Sequence, residues 1–384
     1  MTDRGRADMG FKSIALGGLA AFVLLAGPAM GQTPALRQGL DIRPGAAPVP
    51  VRIGDRTRLV YELQLSNFAS GPLEIIRIEV VDGATGRAVA DLQGAALDAA
   101  LGGPRTVPVN AFVLAYLEPP VDGPAPERLR HRLTFAGADG RQTVVENGEV
   151  RIDPAPLPVL GPPLRGGPWV AVYQPEMERG HRRVAYSVDG KVRVPGRFAI
   201  DWIKVDESGA TGRAGETRLA SNLSFGAEVL AVADGVVAAT RDDVPDPADL
   251  TGTDTPPLED ATGNYVAIDI GGGRYAFYEH LSPGLRVRPG DRVRRGQVIG
   301  ALGFTGQASG PHLHFHVSDG PAPLTAEGRP YVMEGFRVVG RYPSIQASGR
   351  GERWGQATEA DGSAPSFPAH NVVVRFEDSP TVDR

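Results

Sequence analysis

The chain contains no cysteine. That excludes a disulfide framework, a thiolate zinc site, a cysteine nucleophile and a lipidated cysteine anchor. Any metal site must draw on histidine and carboxylates. Lysine is nearly absent too: Lys12, Lys191 and Lys204 are the only three, and the remaining positive charges are arginine. The Gly-Asp and Gly-Gln hairpin rhythm of Val287–Ile299 therefore lacks the attachment lysine that a biotinyl or lipoyl carrier needs, since none lies between 205 and 384. There is no basic excess either. A net charge of −5 argues against a general nucleic-acid binder. No long amphipathic helical pattern occurs anywhere in the chain.

What is abundant is glycine (50) and proline (34), in a chain of 384 residues of which 41% are hydrophobic. That balance describes a globular, turn-rich protein with room for two domains. Residues 1–31 have the pattern of a secretory signal. Arg4, Arg6 and Lys12 precede the apolar run Ile14–Ala26, and Ala29-Met30-Gly31 supplies small residues for cleavage before Gln32. The run is short for a membrane span, which takes about 20 residues. The expectation is export to the periplasm or beyond, with no stable membrane anchor after cleavage. Nothing in the sequence sets an oligomeric state.

Period-two alternation marks the strands. Leu59, Tyr61, Leu63 and Leu65 alternate with Val60, Glu62 and Gln64, and Ile76, Ile78 and Val80 with Arg77 and Glu79. Leu129, His131, Leu133 and Phe135 alternate with arginines before an Asp139-Gly140 hairpin turn. His131 lies on the apolar side and reads as a core histidine. These short strands predict an immunoglobulin-like β-sandwich over residues 40–153. Six prolines and three glycines in Asp153–Pro168 predict a semi-rigid linker over 154–175, and so a second half that folds by itself. A second β-rich domain then covers 176–340, and 341–384 reads as a largely flexible tail in which Val372, Val374 and Phe376 could add a last strand.

Three of the seven histidines, His312, His314 and His316, alternate with Leu313 and Phe315 after a loop containing Gly303, Gly306, Gly310 and Pro311. On a strand all three rings leave one face. The outer two stand roughly 13 Å apart, so a two-histidine site uses 312 with 314, or 314 with 316. His314 belongs to both pairs. Asp201 is a carboxylate on the same side as Ala199, Ile203 and Val205, where burial in ionised form requires a cation or donors. Residues 241–260 carry seven carboxylates, but their spacing fits no calcium loop; a solvated loop at a cleft edge is expected.

With Asp201, the histidine strand and Tyr278-Glu-His-Leu281 in view, the second half resembles the lysostaphin/LytM-type zinc metalloendopeptidases of bacterial peptidoglycan. Further matching elements are Gly180-His181, Arg197-Phe-Ala-Ile-Asp201, Ala231-Val-Ala-Asp-Gly235, Gly290-Asp-Arg-Val-Arg-Arg-Gly-Gln297 and Ser309-Gly-Pro-His-Leu-His-Phe315. The resemblance covers roughly residues 176–340. It implies the antiparallel β catalytic fold of that family (a duplicated hybrid motif), Zn2+ as cofactor and peptidoglycan peptides as partners. It implies His181, Asp201 and His314 as zinc ligands and His312 with His280 as the catalytic pair, the division of base and oxyanion roles between them left open. It also implies a peptide cross-link bearing D-alanine as the bond cut. A non-catalytic wall binder or hydrolase activator on the same fold is the alternative. The chain departs from the family pattern in placing Arg182–Ile200 between the first histidine and the aspartate, where three residues are usual. His316 stands where glutamate is frequent, and is expected beyond ligand range at the rim of the groove.

Overall fold

The computed structural model of the protein describes residues 1, 38–173, 180–252, 255–357 and 364–377. Apart from Met1, the expected signal segment lies outside them. The chain from Gln38 onward is one unit, mainly β, with antiparallel sheets. Among the described residues no helix is long and apolar enough to cross a membrane.

The N-terminal half forms two larger sheets and a two-stranded one, Pro50–Ile53 with Arg56–Leu59. The first takes β1 (Leu40–Pro44), β2 (Tyr61–Asn67) and β5 (Phe112–Leu117) in the order β1-β2-β5. The second takes β3 (Leu73–Asp82), β4 (Ala88–Gln93), β6 (Arg128–Ala136) and β7 (Gln142–Arg151) in the order β7-β6-β3-β4. Alternating residues from both, among them Leu63, Leu65, Ile78, Val80, Leu133 and Phe135, fill one core. His131 sits in that half fully buried. Its two ring nitrogens meet the Tyr61 hydroxyl at 2.8 Å and the Gly148 carbonyl at 2.9 Å. Burial pushes its pKa down to about 4, so it is a neutral structural group.

The second half is a ten-stranded antiparallel sheet. Its strands in chain order are β8 (Gly166–Val172), β9 (Ile200–Lys204), β10 (Gly235–Arg241), β11 (Asn264–Asp269), β12 (Tyr275–Leu281), β13 (Arg292–Val293), β14 (Leu313–Ser318), β15 (Phe336–Arg341), β16 (Gly355–Gln356) and β17 (Val372–Phe376). In space they run β13-β10-β11-β12-β14-β9-β8-β17-β15-β16. Ile200, Trp202, Tyr278, Leu313, Phe315 and Val317 supply one face of its core.

The division between halves differs from the expected one in two places. The proline-rich stretch carries β8, an interior strand paired on both edges. Its prolines gather before the strand, and Pro168 stands where the pairing register shifts, a place a strand tolerates proline. The tail likewise ends in β17, held between β8 and β15. The halves also share apolar contacts: Val51 and Val60 belong to the core that contains Trp202 and Phe315, and Gly54 donates its N–H to the Phe367 carbonyl at 3.1 Å.

A buried ionic cluster ties the halves together. Glu62 on β2 accepts from Arg182 Nε and Arg197 Nε, both at 2.8 Å. Arg182 also reaches Glu118 at 2.7 Å and the carbonyls of Tyr61 and Leu117, while Arg197 pairs with Glu327. Burial works to raise the Glu62 carboxyl, but the two guanidinium groups outweigh it and hold its pKa below the usual value.

Removing one partner from such a cluster leaves buried charge uncompensated. Glu62→Gln should cost about 3 kcal/mol, read as a lower urea midpoint at unchanged slope. Because the Glu62 carboxyl is depressed, its contribution is complete above the ordinary carboxylate range and fades as the pH falls through the folded value. The variant should therefore lose less stability on acidification than the parent does. An unchanged midpoint would show that the cluster does not hold the halves.

Candidate metal centre

The register of the central sheet decides what faces what. On one side of β14, Asp201 of β9 lies directly opposite His314; on the other, Glu279 of β12 does. Leu313, Phe315 and Val317 enter the core. The intervening histidines therefore leave by the opposite face, as strand alternation requires. His314 Nδ1 stands 2.8 Å from Asp201 Oδ1. His181 Nε2 reaches the same oxygen at 3.0 Å, and His312 Nε2 approaches it at 3.5 Å. One carboxylate oxygen thus gathers three imidazoles from two separate stretches of chain.

His181 comes from a turn, His181–Arg183, at the start of the long excursion. Its backbone is left-handed, with φ of 38°, a conformation uncommon outside glycine. The excursion closes on itself. Asp189 and Gly190 make the turn between Tyr186–Val188 and Lys191–Arg193. Arg182 and Arg197, near its two ends, meet on Glu62. Gly196 packs directly on the His181 backbone: a Cβ there would lie 2.9 Å from the His181 Cα, carbonyl carbon and oxygen. The N-terminal half therefore participates in placing His181, although it contributes no group to the site itself.

His280 arrives by a bulge. Asn264 pairs with Leu281 but Val266 with Tyr278, so β12 carries one extra residue there. Simple alternation would send Glu279 and His280 to opposite faces. The bulge and a φ of 63° at His280 turn both toward the histidine face. The His280 and His312 rings lie 4.8 Å apart, centre to centre. His280 Nδ1 meets the Thr305 carbonyl at 2.8 Å, and His312 Nδ1 meets the Gly310 carbonyl at 2.8 Å. A carbonyl only accepts, so each Nδ1 carries the hydrogen; His280 Nε2 is then the free nitrogen, while His312 Nε2 faces Asp201.

The electrostatics suit coordination. Burial would raise the Asp201 carboxyl, but His181 and His312 beside it outweigh that and hold it well below the carboxylate range. Burial holds His280 well below, and His314 below, the usual imidazole value, which leaves both rings neutral, the form in which an imidazole such as His314 can bind a metal. Burial also opposes protonation of His312, yet the Asp201 charge prevails and raises it. The donor atoms of His181, Asp201 and His314 lie within 4.8 Å of one another, and His181 Nδ1 is buried without a partner among the described residues. Two imidazoles and one carboxylate are a set that zinc takes while leaving a position open; the residues fit the ion.

One expectation is revised. His316 does not stand at a groove rim. It is 2% exposed and stacked on Phe277, its cross-strand neighbour, at 4.9 Å and 3°. Glu279, also buried at 5% exposure, was legible only as a member of the Tyr-Glu-His-Leu motif, because alternation hides its face. Burial and the Asp201 charge push its pKa up to about 8. The acidic stretch lines a cleft with Phe304 and Thr305, but several of its carboxylates hold the protein's own loops. Asp242 accepts from the Gly284 and Leu285 amides and Asp246 from Phe304, while Arg241 pairs with Asp243 and Asp260.

Residues 217–325 match Peptidase family M23. That stretch includes His280, His312 and His314; His181 and Asp201 lie before it. The chain is 36% identical over 108 residues to the peptidoglycan DD-endopeptidase ShyA of Vibrio cholerae serotype O1, covering 28% of this chain and 20% of that protein. It is 44% identical over 54 residues to the glycyl-glycine endopeptidase ALE-1 of Staphylococcus capitis, covering 14% and 15%. It thus spans about a fifth or less of the length of these relatives. Among solved structures, the catalytic domain of the M23 protein EnpA from Enterococcus faecalis overlaps 44% of this chain and 92% of its own, with 20% identity and a TM-score of 0.24. A zinc-containing peptidase from Vibrio cholerae overlaps 77% and 86%, with 16% identity and a TM-score of 0.26.

The close approach at Gly196 yields a test that leaves every ligand in place. Gly196→Ala should retain the fold, at a cost of about 1–3 kcal/mol, and bind less zinc than the wild-type protein. His181→Ala should do the same to zinc without the packing cost. Full zinc occupancy in His181→Ala would remove that residue from the site.

Proposed function

On the premise that residues 217–325 form a Peptidase family M23 domain, we propose that this chain is an exported, zinc-dependent endopeptidase that hydrolyses peptide cross-links of bacterial peptidoglycan. The observation that carries the reading is the convergence of His181, His314 and His312 on one Asp201 oxygen, beside a second ring, His280, with a free Nε2. Relatives named peptidoglycan DD-endopeptidases support a cross-link bearing D-alanine as the bond cut. The signal pattern of residues 1–31 supports export.

His181, Asp201 and His314 would hold the ion. When bound, zinc polarises an amide carbonyl and makes water a usable nucleophile near neutral pH. The chain's own groups do the rest. His312 and His280 present Nε2 from rings fixed through Nδ1 by backbone carbonyls, so neither must reorient before exchanging a proton. One takes the proton of the attacking water; the other, when its Nε2 also carries a proton, donates to the oxygen on which negative charge develops. The same pair can return a proton to the leaving amine. The cleft between Phe304, Thr305 and the acidic stretch adjoins His280 through the Thr305 carbonyl, and would receive one arm of an extended peptide.

Two measurements test this. Zinc-loaded protein incubated with purified cell wall should release peptide-linked fragments identifiable by mass; a loaded protein that binds the wall and releases none would be a binding module. His314→Ala should empty the zinc site and His312→Ala should keep zinc, while both lose activity, the latter by about 10²–10⁴ without rescue by added zinc. A metal-free His312→Ala beside a loaded His314→Ala would reverse the two roles.

A further inference from the structure

Behind the outer ligand set lies a second cluster that the proposed reaction does not use. The donor atoms of Glu279, His314 and His316 lie within 4.8 Å of one another. Glu279 and His316 are almost fully buried. Both ring nitrogens of His316 lack a hydrogen-bond partner among the described residues. Its nearest acidic contact, Nδ1 to Glu279 Oε1, is 3.8 Å, too long for a hydrogen bond. The same fold contains a control. His131, equally buried, has both nitrogens bonded, which is how a structural histidine is normally accommodated. His316 is held as firmly, by stacking flat on Phe277, yet its polar edges meet nothing.

We infer that Glu279, His314 and His316 form a second, interior site for a divalent transition ion of the zinc class. The inference rests on the reading of His314 as a metal ligand and adds a second occupant to that ring. Two imidazole nitrogens and one carboxylate oxygen are the donors such ions prefer. The separations leave space for an ion where hydrogen bonds would otherwise close the gap. The register supplies the geometry: Asp201, His314 and Glu279 form one row across β9, β14 and β12. His314 turns Nδ1 to Asp201, which leaves its other nitrogen for the interior ion. Ions on both sides of the ring would hold His314 as a bridging imidazolate, its remaining ring proton released to solvent as the second ion binds, and fix the outer site from behind. The pairing of His314 with His316, left open by strand spacing, belongs to this site, and the pairing of His314 with His312 to the reaction face.

The test counts metal per folded chain. The full chain is stripped with chelator, equilibrated with zinc alone at buffered free concentrations, and measured by mass spectrometry of the metal, with near-ultraviolet circular dichroism confirming the fold. The wild-type protein should saturate with two zinc ions, and Glu279→Gln, His316→Ala and Asp201→Asn with one each. Glu279→Gln is nearly isosteric and decides the matter if His316→Ala fails to fold. One zinc in the wild type and still one in Glu279→Gln overturns the interior site. If zinc then binds more weakly in Glu279→Gln, that carboxylate is a positioning group for His314. An Asp201→Asn protein that keeps the wild-type count while Glu279→Gln loses an ion supports the interior site and refutes the outer one.

Discussion

The whole site hangs on the register of one strand. Leu313–Ser318 alternates large apolar groups with histidines, and a slip of one residue against either neighbour would send every ring into the core. Phe315, Val317 and Leu313 forbid that slip, because they are fully buried against Ile200, Trp202 and Tyr278. Hydrophobic burial thus sets the polar geometry on the other face. Once Phe315 lies opposite Ile200 and Tyr278, Asp201 and Glu279 must flank His314. The polar row on the sheet is aligned by groups on its opposite face.

The remaining outer donor cannot be aligned in that way, because His181 belongs to no strand. Its position depends on Glu62, a carboxylate from the other half of the chain. By binding Arg182 and Arg197 together, Glu62 closes the base of the excursion and keeps its ends near Asp201. This explains how a first histidine so far from its aspartate in sequence still reaches it. It also ties folding of the N-terminal sheets to the integrity of the site. The proline-rich stretch serves that arrangement as a strand of the shared sheet, not as a spacer.

Two buried histidines in one molecule illustrate how environment separates structure from chemistry. His131 is satisfied on both edges and neutral by burial, and nothing further is asked of it. His316 is equally hidden, but its nitrogens face a carboxylate at a distance that neither bonds nor repels it away. Unmet polar atoms in a packed interior cost free energy, and the inferred interior ion would offset that cost at His316.

Much of this was legible in the residues alone. The absence of cysteine limited any metal site to histidine and carboxylate. Alternation placed His312, His314 and His316 on one face and singled out His314, because period-two geometry is local and needs no partner strand. Asp201 on an apolar stretch was visible for the same reason, and the hairpin turns at Asp139-Gly140 and Asp189-Gly190 follow from short-range turn chemistry. What only tertiary structure decided involves contacts between distant segments. The bulge at His280 exists only relative to β11. The burial of His316 depends on Phe277 across the sheet, and the route of His181 on Glu62. Strand spacing allowed His314 two partners on its own strand; what flanks the ring was set by the neighbouring strands, which place a carboxylate on either side of it.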